Sequence, residues 1–495
     1  MKTAKHSYLV GTTAILILLT FRSFLAGSAP PVTQSVGSNG PPLVVRVDPR
    51  VELISLVFRL AGNPEYTQGR VSSYNDDADK HFDKFRDHEV VKLARQLRSS
   101  RGVSYDACMS LAVHLNNAQE LSLVTPLNPW PEGLDRRWTA PDISRFLDAA
   151  RAFVKDSAFP EFLNQHRSLY ETTEERMKAL MTQEGHLEWF QEFFGERPQA
   201  TFTITPGLLN GGCCYGSRCR KPGGKESLYC ILGVWKTDGK GLPLFTSDML
   251  GTIVHEFGHS FANPMIDRHE AELRSAGETL FRPVASKMRS QAYSNGQTLL
   301  YELMVRACEV RYAVRYNGEA AGRRVIEYQK GRGFLWMEEL SNQLAEYEAH
   351  RDNYPTFESF APRLVTFFNE YASAFGKKQS AADKKKPKVV SMVPANGASA
   401  VDPSLAEIQV VFDQPMQDGS WALVGGGPHC PETTGKPSYD KSCKKWTVPV
   451  KLKPDWSYEF WLNSGSYDSF RSQDGTPLDS VKVTFKTSKA TEGKQ

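Results

Sequence analysis

The stretch SDMLGTIVHEFGHSFANP, residues 247–264, decides how the chain is read. Met249, Ile253, Phe257 and Phe261 recur every fourth residue, so a helix through the stretch has one apolar stripe to set against a core. Ser247 and Asp248 suit the start of that helix, and Pro264 cannot lie far from its end. His255 and His259 fall one turn apart on a different face. Two imidazoles at that spacing can bind one zinc ion, the HExxH arrangement, with Glu256 in reach of a water held by the metal. Gly251, Gly258 and Ala262 lie on or near this face and leave room for the ion and for another segment. Zinc lowers the pKa of such a water to about 7. Glu256, as general base, would take its proton as the water attacks a polarised peptide carbonyl, and pass it to the leaving amine. The bare pattern also arises by chance; here it sits on a helix with a consistent apolar face.

Two histidines leave a third protein ligand to be found. The metzincin continuation requires glycine at 262 and histidine at 265, where this chain has Ala262 and Met265. A glutamate from a later helix is the remaining pattern. The helical stretch 299–316 places Glu302, Arg306 and Glu309 on one face, with Leu299, Leu303 and Val310 elsewhere. Glu302 is the expected third ligand and Glu309 the runner-up, with Arg306 orienting a glutamate; an ordinary solvated ion-pair face is the other reading. Glu270, Glu272 and Glu278 are weaker candidates. Residues 228–235 read as a strand, either an edge strand that pairs with an extended substrate or an interior one. Tyr301, Tyr312 and His350 are candidates for stabilising an oxyanion, with nothing to choose among them.

The rest of the chain sets the context. Lys2, Lys5 and His6, an apolar run over 8–19 and small residues at 26–29 have the layout of a secretory signal peptide, assigned to 1–28. No second long apolar run follows, so no membrane span is expected after its cleavage. The net charge of +4 falls to about +1 without the leader, which gives no case for nucleic acid. Residues 29–42 read as a flexible lead-in. Residues 43–375 read as one domain, with a short strand at 43–47, a helix at 50–60 and a mainly helical pattern from 81 to about 375, for example at 89–97, 143–153 and 174–194, with a further strand signal at 201–204. GKKQSAADKKKPK, residues 376–388, reads as a solvated lysine-rich linker. Beyond it the period changes to two: Ile408, Val410, Phe412; Trp446, Val448, Val450; Tyr458, Phe460, Leu462; Val481, Val483, Phe485. This is the pattern of an antiparallel β-sandwich over 389–488, with a tail at 489–495. Eight cysteines fit an oxidising compartment. Cys430 with Cys443, two bonds among Cys213, Cys214, Cys219 and Cys230, and Cys108 with Cys308 are the expected disulfides, with a four-thiolate metal site or buried free thiols as alternatives.

The stretches VDPRVELISLVFRLAG (47–62), GVSYDACMSLAVHL (102–115), HEFGHSFANP (255–264) and YELMVRA (301–307) resemble an uncharacterised family of exported bacterial proteins, a domain of unknown function that looks like gluzincin-type peptidases. The resemblance covers about 43–375 and implies zinc on His255 and His259, catalysis by Glu256, and a glutamate such as Glu302. VVSMVPANGASAVDPSLAEIQVVFDQPM (389–416) is similar to bacterial Ig-like modules, usually spacers or adhesion units.

The expected fold is α+β: a helix-rich zincin-like metallopeptidase domain followed by an all-β Ig-like sandwich. The expected function is a secreted, periplasmic or cell-surface zinc-dependent peptidase with a peptide or protein substrate. A non-catalytic surface binding or adhesion protein with a vestigial or structural zinc site is the alternative from another class, and hydrolysis of a different bond, such as a cell-wall amide, is a third.

Overall fold

The computed structural model describes residues 41–489. The expected leader, nearly all of the lead-in and the tail beyond 489 lie outside them. The chain divides into two compact units, 1–373 and 374–495.

The first unit opens with β1 (Leu43–Val45) and α1 (Pro49–Leu60), then α2 (Ser72–Phe82), α3 (Glu89–Arg101), α4 (Asp106–Val113) and α5 (Ala140–Asp156). There follow α6 (Phe159–Gln165), α7 (Arg167–Glu184), α8 (Glu188–Phe194), β2 (Ala200–Gly207), β3 (Tyr215–Arg220) and β4 (Glu226–Gly233). The motif helix is α9 (Leu250–Arg268), followed by α10 (Glu270–Arg289), α11 (Gly296–Asn317), α12 (Glu319–Gly331), α13 (Met337–Ala349) and α14 (Phe357–Lys385). The helix expected over 174–194 is two helices, because Gly185 turns extended at the end of α7.

The sheet order is β1-β2-β4-β3. β1 and β4 run parallel to β2, and β3 runs antiparallel to β4. β4 is therefore interior, and residues 228–235 are not the sheet edge. All eight residues of β4 are buried, as a strand flanked on both sides requires. The edge belongs to β3, which comes from the cysteine-rich stretch. Its alternation of buried Tyr215, Ser217 and Cys219 with more exposed Gly216, Arg218 and Arg220 is a half-buried strand.

α9 lies against this sheet as its stripe requires: Met249, Ile253, Phe257 and Phe261 are all buried, and Phe257 meets Phe202 of β2 edge-on at 4.8 Å. Ser247 and Asp248 do not cap it. Residues Ser247–Met249 form a 3-10 turn leading into α9, and Asp248 instead binds Thr246 and Lys236 Nζ, the latter at 2.6 Å. Pro264 lies inside α9, four residues before its end. Helix and edge strand touch at Gly216, where a Cβ would stand 2.0 Å from the backbone oxygen of Glu256.

No disulfide joins the eight cysteines. Cys213 and Cys214 are neighbours in sequence, while Cys219 faces Ser227 and Cys230 faces Gly216 across the β3–β4 pair, so neither strand cysteine opposes another. Cys108 on α4 and Cys308 on α11 are each buried singly. The lysine-rich connection is also not an open linker: α14 continues through Lys385. Alanine, lysine and glutamine are good helix formers even without an apolar face.

The second unit carries β5 (Val389–Val393), β6 (Glu407–Phe412), β7 (Leu423–Val424), β8 (Glu432–Thr433), β9 (Ser438–Tyr439), β10 (Lys445–Lys451), β11 (Ser457–Leu462) and β12 (Val481–Lys486). One sheet runs β5-β6-β10-β8 with β9 also on β10, the other β12-β11-β7, and all named pairs are antiparallel. Ile408 and Val410 stand opposite Val448 and Trp446, and share one core with Phe460, Leu462, Val483 and Phe485 of the other sheet. This is the expected sandwich. Among the described residues no helix is long and apolar enough to cross a membrane.

Two expectations follow. Gly216→Ala should cost about 1–3 kcal/mol by forcing α9 off β3, read as a lower denaturation midpoint. Glu52 on α1 is fully buried, accepting from the Leu208 amide at 2.8 Å and Tyr74 Oη at 3.0 Å, and burial pushes its carboxyl from 4.5 up to about 7. Because the folded value is the higher, its stabilising contribution is present below about pH 4.5 and is lost as the pH rises to 7, of order 3 kcal/mol. Denaturant unfolding between pH 4.5 and 8 should show a shallower fall for Glu52→Gln than for the parent; parallel curves would contradict this.

Candidate metal centre

α9 and α11 pack side by side and bring three side chains together. His255 Nε2 and His259 Nε2 are 3.2 Å apart. Glu302 of α11 places Oε2 3.7 Å from His255 Nε2 and Oε1 3.7 Å from His259 Nε2. Among the described residues these three form the cluster able to hold a metal ion. A tetrahedral ion with bonds of about 2.1 Å separates its ligand atoms by about 3.4 Å, and the separations bracket that value. Gly258, turned toward Val305 of α11, leaves ordinary contact space between the helices.

The outer nitrogens are already held. His255 Nδ1 meets Glu309 Oε1 at 2.6 Å, and His259 Nδ1 meets Asn263 Oδ1 at 3.1 Å. Both Nε2 atoms are thereby turned toward Glu302. Glu309, the runner-up ligand, is on the far side of the imidazole from the cluster; it orients His255 and receives Gln329 Nε2 at 3.1 Å. Arg306 donates to Glu302 Oε2 at 2.7 Å, Gln329 Oε1 at 3.1 Å and Tyr293 Oη at 3.0 Å, and stacks over Phe334 at 4.4 Å. The face read from the sequence is thus a buried charge network, not a solvated one. Gln329, Tyr293 and Phe334 were not foreseen; they carry no local motif, and only the packing of α12 and the flanking loops brings them here.

Burial and neighbouring charge set each group's protonation. Burial pushes the Glu302 carboxyl up, but Arg306, foremost among the opposing charges, holds it down at about 2. Burial drives His255 well below its usual value, against the pull of Glu302, which keeps its imidazole neutral. Burial lifts Glu309 to about 7 despite Arg306. Burial, reinforced by Glu302, raises Glu256 well above the carboxylate range, partly offset by Arg306. Two of the acids beside one another, Glu302 and Glu256, are therefore driven in opposite directions.

A cavity of about 530 Å³ opens beside His259, lined by Asn263 of α9, Gly216 and Arg218 of β3, Tyr301 and the segment 130–136. The rim of β3 has a fixed parity. The Lys221 amide donates to the Lys225 carbonyl and the Gly233 amide to the Cys213 carbonyl, so odd-numbered residues bond to β4 and even-numbered ones face outward. Gly216 and Arg218 thus turn backbone groups toward the cavity. Tyr301 lines it, but its hydroxyl donates to Asp267 and accepts from Gln297 at 2.7 Å. Tyr312 is not at the site; it is buried edge-on to Trp189 at 5.5 Å. His350 is exposed at the end of α13, with Nδ1 on the Glu346 carbonyl. Glu270, Glu272 and Glu278 are exposed on α10.

The profile of a family described as "Domain of unknown function (DUF4932)" matches residues 43–367, and that of "Bacterial Ig-like domain" matches residues 383–487. No curated protein matches the chain. Among solved structures, surface layer protein SbsC (domains 1-6) and the S-layer protein rSbsC each match at 11% identity with a TM-score of 0.16, covering 81% of this chain and 46% of theirs. The chain therefore spans less than half of those proteins, and a likeness at that score carries no argument about fold.

The protein should bind one divalent ion per chain. His255→Ala should abolish this, and Glu309→Ala should weaken it about 10- to 100-fold by releasing the imidazole. Metal content after dialysis and competition with a chromogenic chelator would read both; equal affinity for Glu309→Ala and the parent would contradict the orienting role.

Proposed function

The chain belongs to the DUF4932 family, and from the centre between α9 and α11 we propose that it is a zinc-dependent peptidase of gluzincin type acting outside the cytoplasm. The observation that carries this reading is the pairing of a His255–His259–Glu302 cluster at single-ion spacing with a buried carboxyl, Glu256, that is not among the ligands. Zinc bound there would supply a Lewis acid that polarises a peptide carbonyl and acidifies water.

The chain's own groups divide the remaining work. Glu256 is the general base: its buried carboxyl sits beside the ligand histidine on α9 without being a ligand itself, takes a proton from the attacking water and returns it to the leaving amine. Arg306 keeps Glu302 ionised, and Glu309 and Asn263 keep the imidazoles aimed. The outward Gly216 carbonyl and Arg218 amide offer one acceptor and one donor to an extended peptide backbone beside His259. The antiparallel edge strand against the motif helix supports a zincin-like arrangement of this unit. The leader at 1–28 and the Ig-like unit support an exported protein, with the sandwich as spacer or attachment module.

That Ig-like unit also favours the second reading, a surface binding protein with an inert metal site. Glu256 separates the two, since a structural site has no use for a buried acid beside its ligands. The zinc-loaded protein should cut a mixed peptide library, and Glu256→Gln should lose on the order of 100-fold or more of that activity while still binding the ion. Absence of cleavage by the parent, or equal cleavage by both, would overturn the proposal.

A further inference from the structure

The edge strand that borders the cavity does not stay open along its length. Gly216 rests on Glu256, with a Cβ position 2.0 Å from that residue's backbone oxygen. Arg218 is two residues further, about 7 Å along a strand. There the outward Arg218 carbonyl is met by Gly133, whose own Cβ would stand 2.4 Å from it. Gly133 has φ +89, so this approach requires glycine on both counts. Beside it, Glu132 Oε1 binds Arg218 Nη2 at 2.5 Å, and Glu132 Oε2 stands 3.6 Å from Arg220 Nη2. The next outward residue on the rim, Arg220, is thus also engaged.

The segment that does this is pinned from behind. The Glu132 carbonyl meets His114 Nε2 at 3.2 Å, Trp130 Nε1 donates to the Leu134 carbonyl at 2.8 Å, and the Asp135 amide donates to Ser110 Oγ at 3.1 Å. Asp135 is further tied to Arg137, 2.8 Å away. These contacts anchor the segment to α4 and make it a wall rather than a loose lid. A strand-like substrate has the Gly216 carbonyl and Arg218 amide to bond to, and then meets Gly133.

Resting on the peptidase reading above, we propose that the enzyme works on chain ends: segment 130–135 closes the β3 side of the cleft, so that one or two substrate residues fit between Gly216, which lies against Glu256, and the wall, and the interior of a long chain does not. The reaction is plain hydrolysis. Water adds across a peptide bond near one terminus, giving a carboxylate and an amine on a short fragment and a shortened chain, with no other reactant.

The test offers the zinc-loaded full chain one peptide in free, N-acetylated, C-amidated and doubly blocked forms, with products read by mass spectrometry. The free peptide should lose fragments of one or two residues from one end only. One single block should stop this, naming the terminus, and the doubly blocked form should be cut slower by on the order of 100-fold. Interior cleavage of the doubly blocked peptide at a rate like that of the free one would overturn the inference and leave the peptidase reading standing. Cleavage of none of the forms would overturn the peptidase reading and the inference with it. Glu132→Ala, shown to be folded by circular dichroism, removes both ion pairs from the wall and should lengthen the released fragments; unchanged lengths would mean that the wall does not set the limit.

Discussion

The guanidinium of Arg306, 4% exposed, is what lets two imidazoles and two carboxylates share the contact between α9 and α11. Charges this far from water persist only when they are paired and hydrogen-bonded. Arg306 gives its Nη donors to Glu302, Gln329 and Tyr293 and its face to Phe334, while its Nε is buried without a hydrogen-bond partner. Through Glu302 it fixes one carboxylate as charged, and through Gln329 it steadies Glu309, which in turn aims His255. Without that cation, the burial that raises the Glu256 carboxyl would act on Glu302 with less to oppose it. The arrangement of the cluster therefore depends on a residue outside the His255–His259–Glu302 set.

Much of this was readable from residue spacing. The helical period placed His255 and His259 together and the apolar stripe away from them, and the same period put Glu302, Arg306 and Glu309 on one face of a second helix. The ranking of Glu302 over Glu309 as third ligand matches the cluster, but the helical period by itself treats the two alike. They are seven residues apart, two turns along the same face, and only the position of α11 along α9 decides which carboxylate meets Nε2 and which meets Nδ1. The sandwich was equally open to reading, because four strands keep strict alternation between buried and outward residues.

The edge strand was hidden for an instructive reason. Tyr215, Ser217 and Cys219 do alternate with Gly216, Arg218 and Arg220, but serine and cysteine are weak apolar markers, and the cysteines drew attention to disulfides instead. Burial of a cysteine needs no bond: Cys219 and Cys230 pack as small apolar residues in the sheet. The lysine-rich stretch is the opposite case, since its lack of apolar residues conceals good helix formers. Segment 130–135 is held mainly by tertiary contacts, to α4 and β3, and no periodicity announces it.

Anomalous diffraction from zinc-soaked crystals, collected on both sides of the zinc edge, measures directly which atoms would hold an ion, and the proposed centre sets the expectation. It predicts one peak in the N-terminal unit within bonding distance of His255 Nε2, His259 Nε2 and a Glu302 carboxylate oxygen, with Glu309 still on His255 Nδ1 and Glu256 unbound. A peak coordinated by Glu309 or by the cysteines of β3 and β4, or none at the α9–α11 contact, would contradict it.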